Sequence, residues 1–272
     1  MLRGYTIPRT PQGRSELTPA PPWHYSGDCI AVEYWADVTA VGALLPPGLE
    51  LDGSSDGRSL FWFTDGQFTG GNDELTDPAR YQFREAFVLV EARLGGRPVN
   101  YCPYSFVDND AAIARAWIQG YPTKLGSIFL TRSFTAPGPA AAPVAQGSRF
   151  GAGVSAHGER MATARVQLEN QVPDPRSILN RPTTMRRYLP TLTCSSMEKQ
   201  AIDELALSLM DDLSFSDMWT GSAELELPTV AGEDMHMIAP VRVGRGYRFG
   251  MAYTVSDLPI LKDYKSKAEP QG

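Results

Sequence analysis

Histidine and cysteine are scarce in this chain, with three of each among 272 residues. His24, His157 and His236 are scattered without ligand spacing, so no metal site is expected. Cys29, Cys102 and Cys194 form an odd, widely spaced set. They give neither a disulfide framework nor a CxxC knuckle, and a reduced, cytoplasmic protein is expected. A basic stripe is also missing: 25 Lys and Arg stand against 31 Asp and Glu, for a net charge of −6. That balance excludes the electrostatic footprint of a nucleic-acid binder. No window approaches the roughly 18 apolar residues of a membrane span. Prolines and polar residues follow Met1-Leu2-Arg3-Gly4-Tyr5, so neither a signal peptide nor a membrane partner is expected. Ser195-Ser196 lacks a nucleophile elbow. No repeat period is visible, and nothing implies an organic cofactor.

What is abundant is glycine and proline, 25 and 22 residues, together with 10% aromatics. Helices tolerate neither glycine nor proline well, which excludes a helical bundle. A hydrophobic content of 42% excludes disorder. A single core of this size buries roughly three quarters of the unfolded chain's surface, so folding requires no disulfide or metal. The expected class is α+β, mainly antiparallel β, in one domain. Residues 1–27, with five prolines, read as an extended N-terminal arm, 28–264 as the domain and 265–272 as a flexible tail.

Strands are expected at 29–35, 60–63, 83–94, 101–107, 128–132, 160–168, 222–227, 241–243 and 248–255. Helices are expected at 39–45, ended by Pro46-Pro47-Gly48, and at 110–119, capped by Asp108 and Asn109. A short helix is expected over 201–209. Residues 64–80 and 136–147 read as loops, and 173–190 as irregular. Gly95-Gly96-Arg97-Pro98 and Gly244-Arg245-Gly246 read as hairpin turns. Arg186-Arg187 reads as a solvated face, with anion binding as the functional alternative.

The most unusual stretch is Ala116-Trp117-Ile118-Gln119-Gly120-Tyr121-Pro122-Thr123-Lys124-Leu125-Gly126. A helix ends at Gly120 and Pro122 fixes the next turn. The turn carries a hydroxyl, an ammonium and a carboxamide among bulky apolar neighbours. A desolvated lysine loses charge and frees an amine for Schiff-base chemistry. The plainer reading makes Lys124 a surface lysine beside a turn.

The stretch resembles the lysine loop of the acetoacetate decarboxylase superfamily, Gly-Tyr/Phe-Pro-Lys-Lys-Leu-Gly. Further blocks follow in the family's order. Tyr101-Cys102-Pro103-Tyr104 and Val107-Asp108-Asn109-Asp110 precede the loop. His157-Gly158-Glu159, Arg181-Pro182 and Trp219-Thr220-Gly221 come after it. The resemblance spans about residues 20–264. It implies a cone-like antiparallel β-barrel, an internal cavity lined by the loop, a small-molecule substrate and a homo-oligomer.

Two departures qualify what the resemblance implies. The family's Schiff-base lysine falls on Thr123, and its second lysine on Lys124. Activation of one lysine by a neighbouring cation, for which acetoacetate decarboxylase is itself the reference example, needs both. The family's carboxylate-holding arginine before the first strand is also missing from Tyr25-Ser26-Gly27-Asp28. Trp117-Ile118-Gln119-Gly120 and Tyr253 look like the secondary-metabolism branch, some of whose members condense pyruvate with aldehydes and dehydrate the product. In that branch positions matching Glu85, Gln119 and Tyr253 line the pocket.

Glu85 is then expected to move protons, Tyr253 to donate to a developing oxyanion, and Gln119 to orient a carbonyl. Thr123, Tyr121, Trp117 and Trp62 are expected to contact substrate. Three readings follow: a Schiff-base enzyme using Lys124, a lysine-independent acid–base enzyme performing cyclisation, dehydration or isomerisation, and a non-catalytic binding protein.

Overall fold

Alternation of apolar residues with period two dominates the middle of the chain, and the computed structural model turns that pattern into one large sheet. It describes residues 1–71, 73–136, 138–192 and 200–265. Cys194, the Ser195-Ser196 pair and residues 266–272 of the tail lie outside the described residues. The first strands are β1 (Trp23–Trp35), β2 (Leu49–Leu51), β3 (Arg58–Thr69), β4 (Gln82–Leu94) and β5 (Arg97–Val107). Next come β6 (Thr123–Leu125), β7 (Ser127–Leu130), β8 (Arg149–Ala156), β9 (Glu159–Gln171) and β10 (Thr183–Pro190). The last are β11 (Gln200–Ser208), β12 (Asp211–Phe215), β13 (Trp219–Glu226), β14 (Arg242–Val255) and β15 (Ile260–Asp263). The helices are α1 (Val38–Leu44), α2 (Pro78–Tyr81) and α3 (Asp110–Gln119). Short 3-10 turns lie at Asp73–Thr76, Pro175–Leu179 and Met235–Ile238.

The main path runs β15-β11-β10-β5-β4-β3-β1-β14-β13-β9-β8-β7, and it is open at both ends. Pairing is antiparallel except for β5 with β6 and β5 with β10. Ile30 of β1, Phe61 of β3, Val88 of β4, Val154 of β8 and Val166 of β9 share one core cluster. Strands far apart along the path therefore bend around a common interior. The opposite face of β1, β3, β4 and β14 carries a second set of apolar side chains, including Ala31, Trp62 and Phe249.

Four local expectations differ from the structure. Residues 201–209 are helix-formers by propensity, yet β11 is held as a strand between β10 and β15. Tertiary pairing overrides local preference there. Residues 183–190, expected to be irregular, form β10, which carries Arg186 and Arg187. Arg186 is bound by Asp203 and Arg187 by Glu204, both on β11. The expected loop over 64–80 holds the end of β3, a 3-10 turn and α2.

Gly244-Arg245-Gly246 is not a turn but the interior of β14. A Cβ on Gly244 would stand 2.8 Å from the Trp35 ring, and one on Gly246 2.5 Å from Val166. Close approach of neighbouring strands, rather than a change of direction, requires these glycines. The described N-terminal residues form a small bridged loop, Arg3 with Thr10, before β1 begins at Trp23. Among the described residues no helix is long and apolar enough to cross a membrane.

Candidate active site

Because side chains alternate across a strand, Phe83, Glu85, Phe87 and Leu89 of β4 all point to one face. Ala86, Val88 and Val90 point into the core on the other. The first four line a cavity of about 70 Å³, together with Tyr25, Trp62 and Tyr253 from β1, β3 and β14. Helix α3 covers the cavity. Its cap is Asn109, whose side chain accepts from the Ala112 N–H at 2.8 Å. Residues three and four apart share a helix face, so Ala112, Arg115, Ala116 and Gln119 face the cavity together. Gly120 ends the helix at φ 97°, and a Cβ there would meet the Arg187 backbone at 3.0 Å. Left-handed backbone and close packing both demand glycine.

The turn delivers β6, which pairs in parallel with β5, Thr123 opposite Ser105 and Lys124 opposite Phe106. Alternation then separates the two residues. Thr123 is buried in the cavity wall, where its hydroxyl donates to Ser105 Oγ at 2.8 Å. Lys124 faces the other way, its side chain 43% exposed, with the ammonium bonded to both carboxylate oxygens of Glu233 and lying over the Phe106 ring. Among the described residues, no lysine lines the cavity.

Trp117 also lies outside it. The indole is 52% exposed, and its N–H donates to the Thr123 carbonyl at 2.8 Å. Two residues along a helix turn a side chain some 200° away, so Arg115 and Trp117 cannot both face inward. The cavity thus gathers Glu85, Tyr253, Gln119, Thr123, Tyr121 and Trp62, and not Lys124 or Trp117.

Among the cavity residues that sequence reasoning missed are Arg115 and Tyr25. The Arg115 guanidinium is 2% exposed, packs 3.8 Å over the Phe68 ring, and has one Nη1 without a hydrogen-bond partner. The sequence signal was its place four residues before Gln119 on an otherwise alanine-rich face. Tyr25 stacks on Tyr253 with ring centroids 4.9 Å apart. Burial raises the Tyr25 hydroxyl above its usual range, while nearby Arg115 pulls it down. Burial also holds Tyr253 and Tyr121 well above the usual phenol range. Both are therefore hydrogen-bond donors at neutral pH.

Burial pushes the Glu85 carboxyl up to about 7, against the opposing pulls of Arg115 and the Thr64 hydroxyl. Thr64 accepts from the Trp62 indole N–H at 3.1 Å, which leaves its own proton to donate to Glu85. A carboxyl in that range is available as acid and as base at neutral pH. Among the described residues, no cluster of three or more His, Cys, Asp or Glu side chains is placed to hold a metal ion.

This architecture is shared with known proteins. The family model for acetoacetate decarboxylase matches residues 6–265. The enduracididine biosynthesis enzyme MppR, solved with the condensation product of pyruvate and imidazole 4-carboxaldehyde, is 34% identical with a TM-score of 0.89. That alignment covers 97% of this chain and 98% of MppR. An acetoacetate decarboxylase-like enzyme from Sphingomonas wittichii RW1 shares the fold at 23% identity and a TM-score of 0.86, covering 96% of this chain and all of that one. So does acetoacetate decarboxylase from Legionella pneumophila, at 19% identity and a TM-score of 0.77, over 97% of this chain and 98% of that one. No curated protein matches. Over nearly its whole length, the chain belongs to the acetoacetate decarboxylase family.

Proposed function

We propose that the chain is a secondary-metabolism enzyme that enolises or dehydrates a small keto acid by acid–base catalysis, without a Schiff base. The observation that carries this reading is a buried, partly unpaired Arg115 in the same cavity as a carboxyl poised near neutrality. An unpaired guanidinium N–H in a buried site calls for an anionic partner, and a carboxylate accepts it with a charge-assisted bond. The cavity volume of about 70 Å³, at 10–15 Å³ per water-sized group, accommodates roughly six heavy atoms. That is the size of pyruvate, which MppR binds.

In the proposed reaction Arg115 holds the substrate carboxylate. Ionised Glu85 takes a proton from C3, and the C–H electron pair becomes the C2–C3 double bond. The displaced carbonyl electrons settle on the C2 oxygen, which accepts from the Tyr253 hydroxyl. Glu85 then returns its proton, either to C3 or, where C4 bears a hydroxyl, to that hydroxyl as it leaves as water. Gln119 and the Thr123–Ser105 hydroxyl pair orient the oxygens. A homo-oligomer, as in the resemblance noted above, belongs to this reading too.

The test is exchange of pyruvate methyl protons in D2O, followed by NMR. Glu85→Gln is expected to slow exchange by about 10²- to 10⁴-fold, with pyruvate binding retained. Undiminished exchange in that variant overturns the proposal.

A further inference from the structure

Glu85 borders more than the substrate cavity. Behind it lies a second chamber of about 10 Å³, walled on the Glu85 side by Tyr25, Phe83 and Tyr253, which it shares with the main cavity. Its opposite wall, Ser26, Gly27 and Met251, also lines a wide polar groove of about 610 Å³ on the protein's outside. Met251 touches all three spaces.

The chamber exists because residue 27 has no side chain. Gly27 pairs with Gly66, and a Cβ on Gly27 would lie 3.0 Å from the Thr64 methyl and 2.8 Å from the Gly66 Cα. Any side chain there would point into this space. The volume is at the lower limit for one water, and a buried water needs two to four polar partners. Glu85, Tyr253 and Thr64, each with a polar group on its side chain, all line the chamber.

We propose that this chamber is a water site and a proton port. A water held there exchanges a proton with Glu85 on one side and with groove water, past Gly27 and Met251, on the other. The carboxyl then equilibrates with solvent while substrate fills the main cavity. The inference rests on Glu85 as the acid–base group of the proposed function. The proton leaves the Glu85 oxygen for the chamber water, which releases another to the groove, and the reverse path reloads the carboxyl.

The experiment is a high-resolution crystal structure with and without pyruvate, joined to an NMR titration of 13C-labelled glutamate assigned through Glu85→Gln. One ordered water is expected within hydrogen-bond reach of Glu85 in both crystals. Met251→Phe, and Gly27→Ala on the neighbouring strand, are expected to expel it and raise the Glu85 midpoint by a pH unit or more, since the ionised form loses a hydrogen-bond donor. Met251→Ala is expected to keep the water and leave the midpoint or lower it. A dry chamber in the native protein, or a midpoint indifferent to Met251→Phe, overturns the port. These readouts need no turnover. If Glu85→Gln leaves pyruvate exchange intact, the catalytic reading fails while the water and the titration still decide the port.

Discussion

Glu85 concentrates the consequences of this fold in one carboxyl. Its folded value of about 7 lies above the 4.5 of an ordinary glutamate, so the folded protein holds that proton more tightly than the unfolded chain. The associated stability is complete below about pH 4.5 and is lost as pH rises through about 7, by up to about 3 kcal/mol. Glu85→Gln stays neutral throughout. Thermal melts are expected to show its advantage over the native protein growing between about pH 5 and pH 8. Catalysis has the opposite sign, because the base is the ionised form. The kcat/KM for pyruvate exchange is expected to rise through about pH 7 and level off. A bound carboxylate adds a like charge near Glu85, so the midpoint in kcat is expected higher than in kcat/KM. Coincident midpoints would mean that the substrate anion sits far from Glu85.

Two other residues give sharp outcomes. Arg115→Met keeps the aliphatic stem but removes the anion partner. Calorimetry is expected to show pyruvate binding weakened by about 10- to 100-fold, the loss of a charge-assisted bond of about 1.5–3 kcal/mol. Lys124 is tied to Glu233 on the far side of β6. Borohydride reduction with pyruvate is therefore expected to leave the mass of the protein unchanged, and Lys124→Met to keep its exchange activity. An adduct on Lys124 would restore the Schiff-base mechanism.

At the scale of elements, α3 and β4 were readable because their signals are local: an Asn cap, a terminal glycine and a clean alternation. The separation of Thr123 from Lys124 was not, because it depends on β6 pairing with β5, a contact between distant segments. Arg115 stayed hidden for a similar reason. An arginine in an alanine-rich helix looks solvent-facing until the helix is docked on the sheet. Residues 201–209 show the converse, with helix-forming residues recruited as a strand by their neighbours. Glycine also meant something different from turns in β13 and β14. A Cβ on Gly221 would sit 1.7 Å from the Gln167 carbonyl oxygen, beside a register shift between β13 and β9. Gly221→Ala is expected to destabilise by about 3 kcal/mol and to lower the melting temperature by roughly 6–10 °C.

For the whole molecule, a chain of partly buried ion pairs ties the sheet to the wall of the site. Arg58 bridges Glu33 and Glu91, Arg181 bridges Glu91 and Asp52, and Arg93 also binds Asp52. Arg181 lies between Leu179 and Thr183 in the chain, two residues that line the cavity. Burial alone would raise the Asp52 carboxyl, but bonds from Ser54, Arg181 and Arg93 hold it well below the usual range. Its contribution to stability is therefore present above about pH 4 and disappears on further acidification. Asp52→Asn leaves two guanidinium groups short of a partner. Denaturant melts at neutral pH are expected to show a loss of about 3–5 kcal/mol, shrinking in acid.

The central strands carry two independent scripts on alternate letters. In β3 and β4, Phe61, Phe63, Ala86 and Val88 belong to the interior, while Trp62, Glu85 and Phe87 belong to the cavity. A lineage or a directed library can rewrite the second script without editing the first. Randomising every other residue along these strands is the economical way to search for new chemistry in this scaffold.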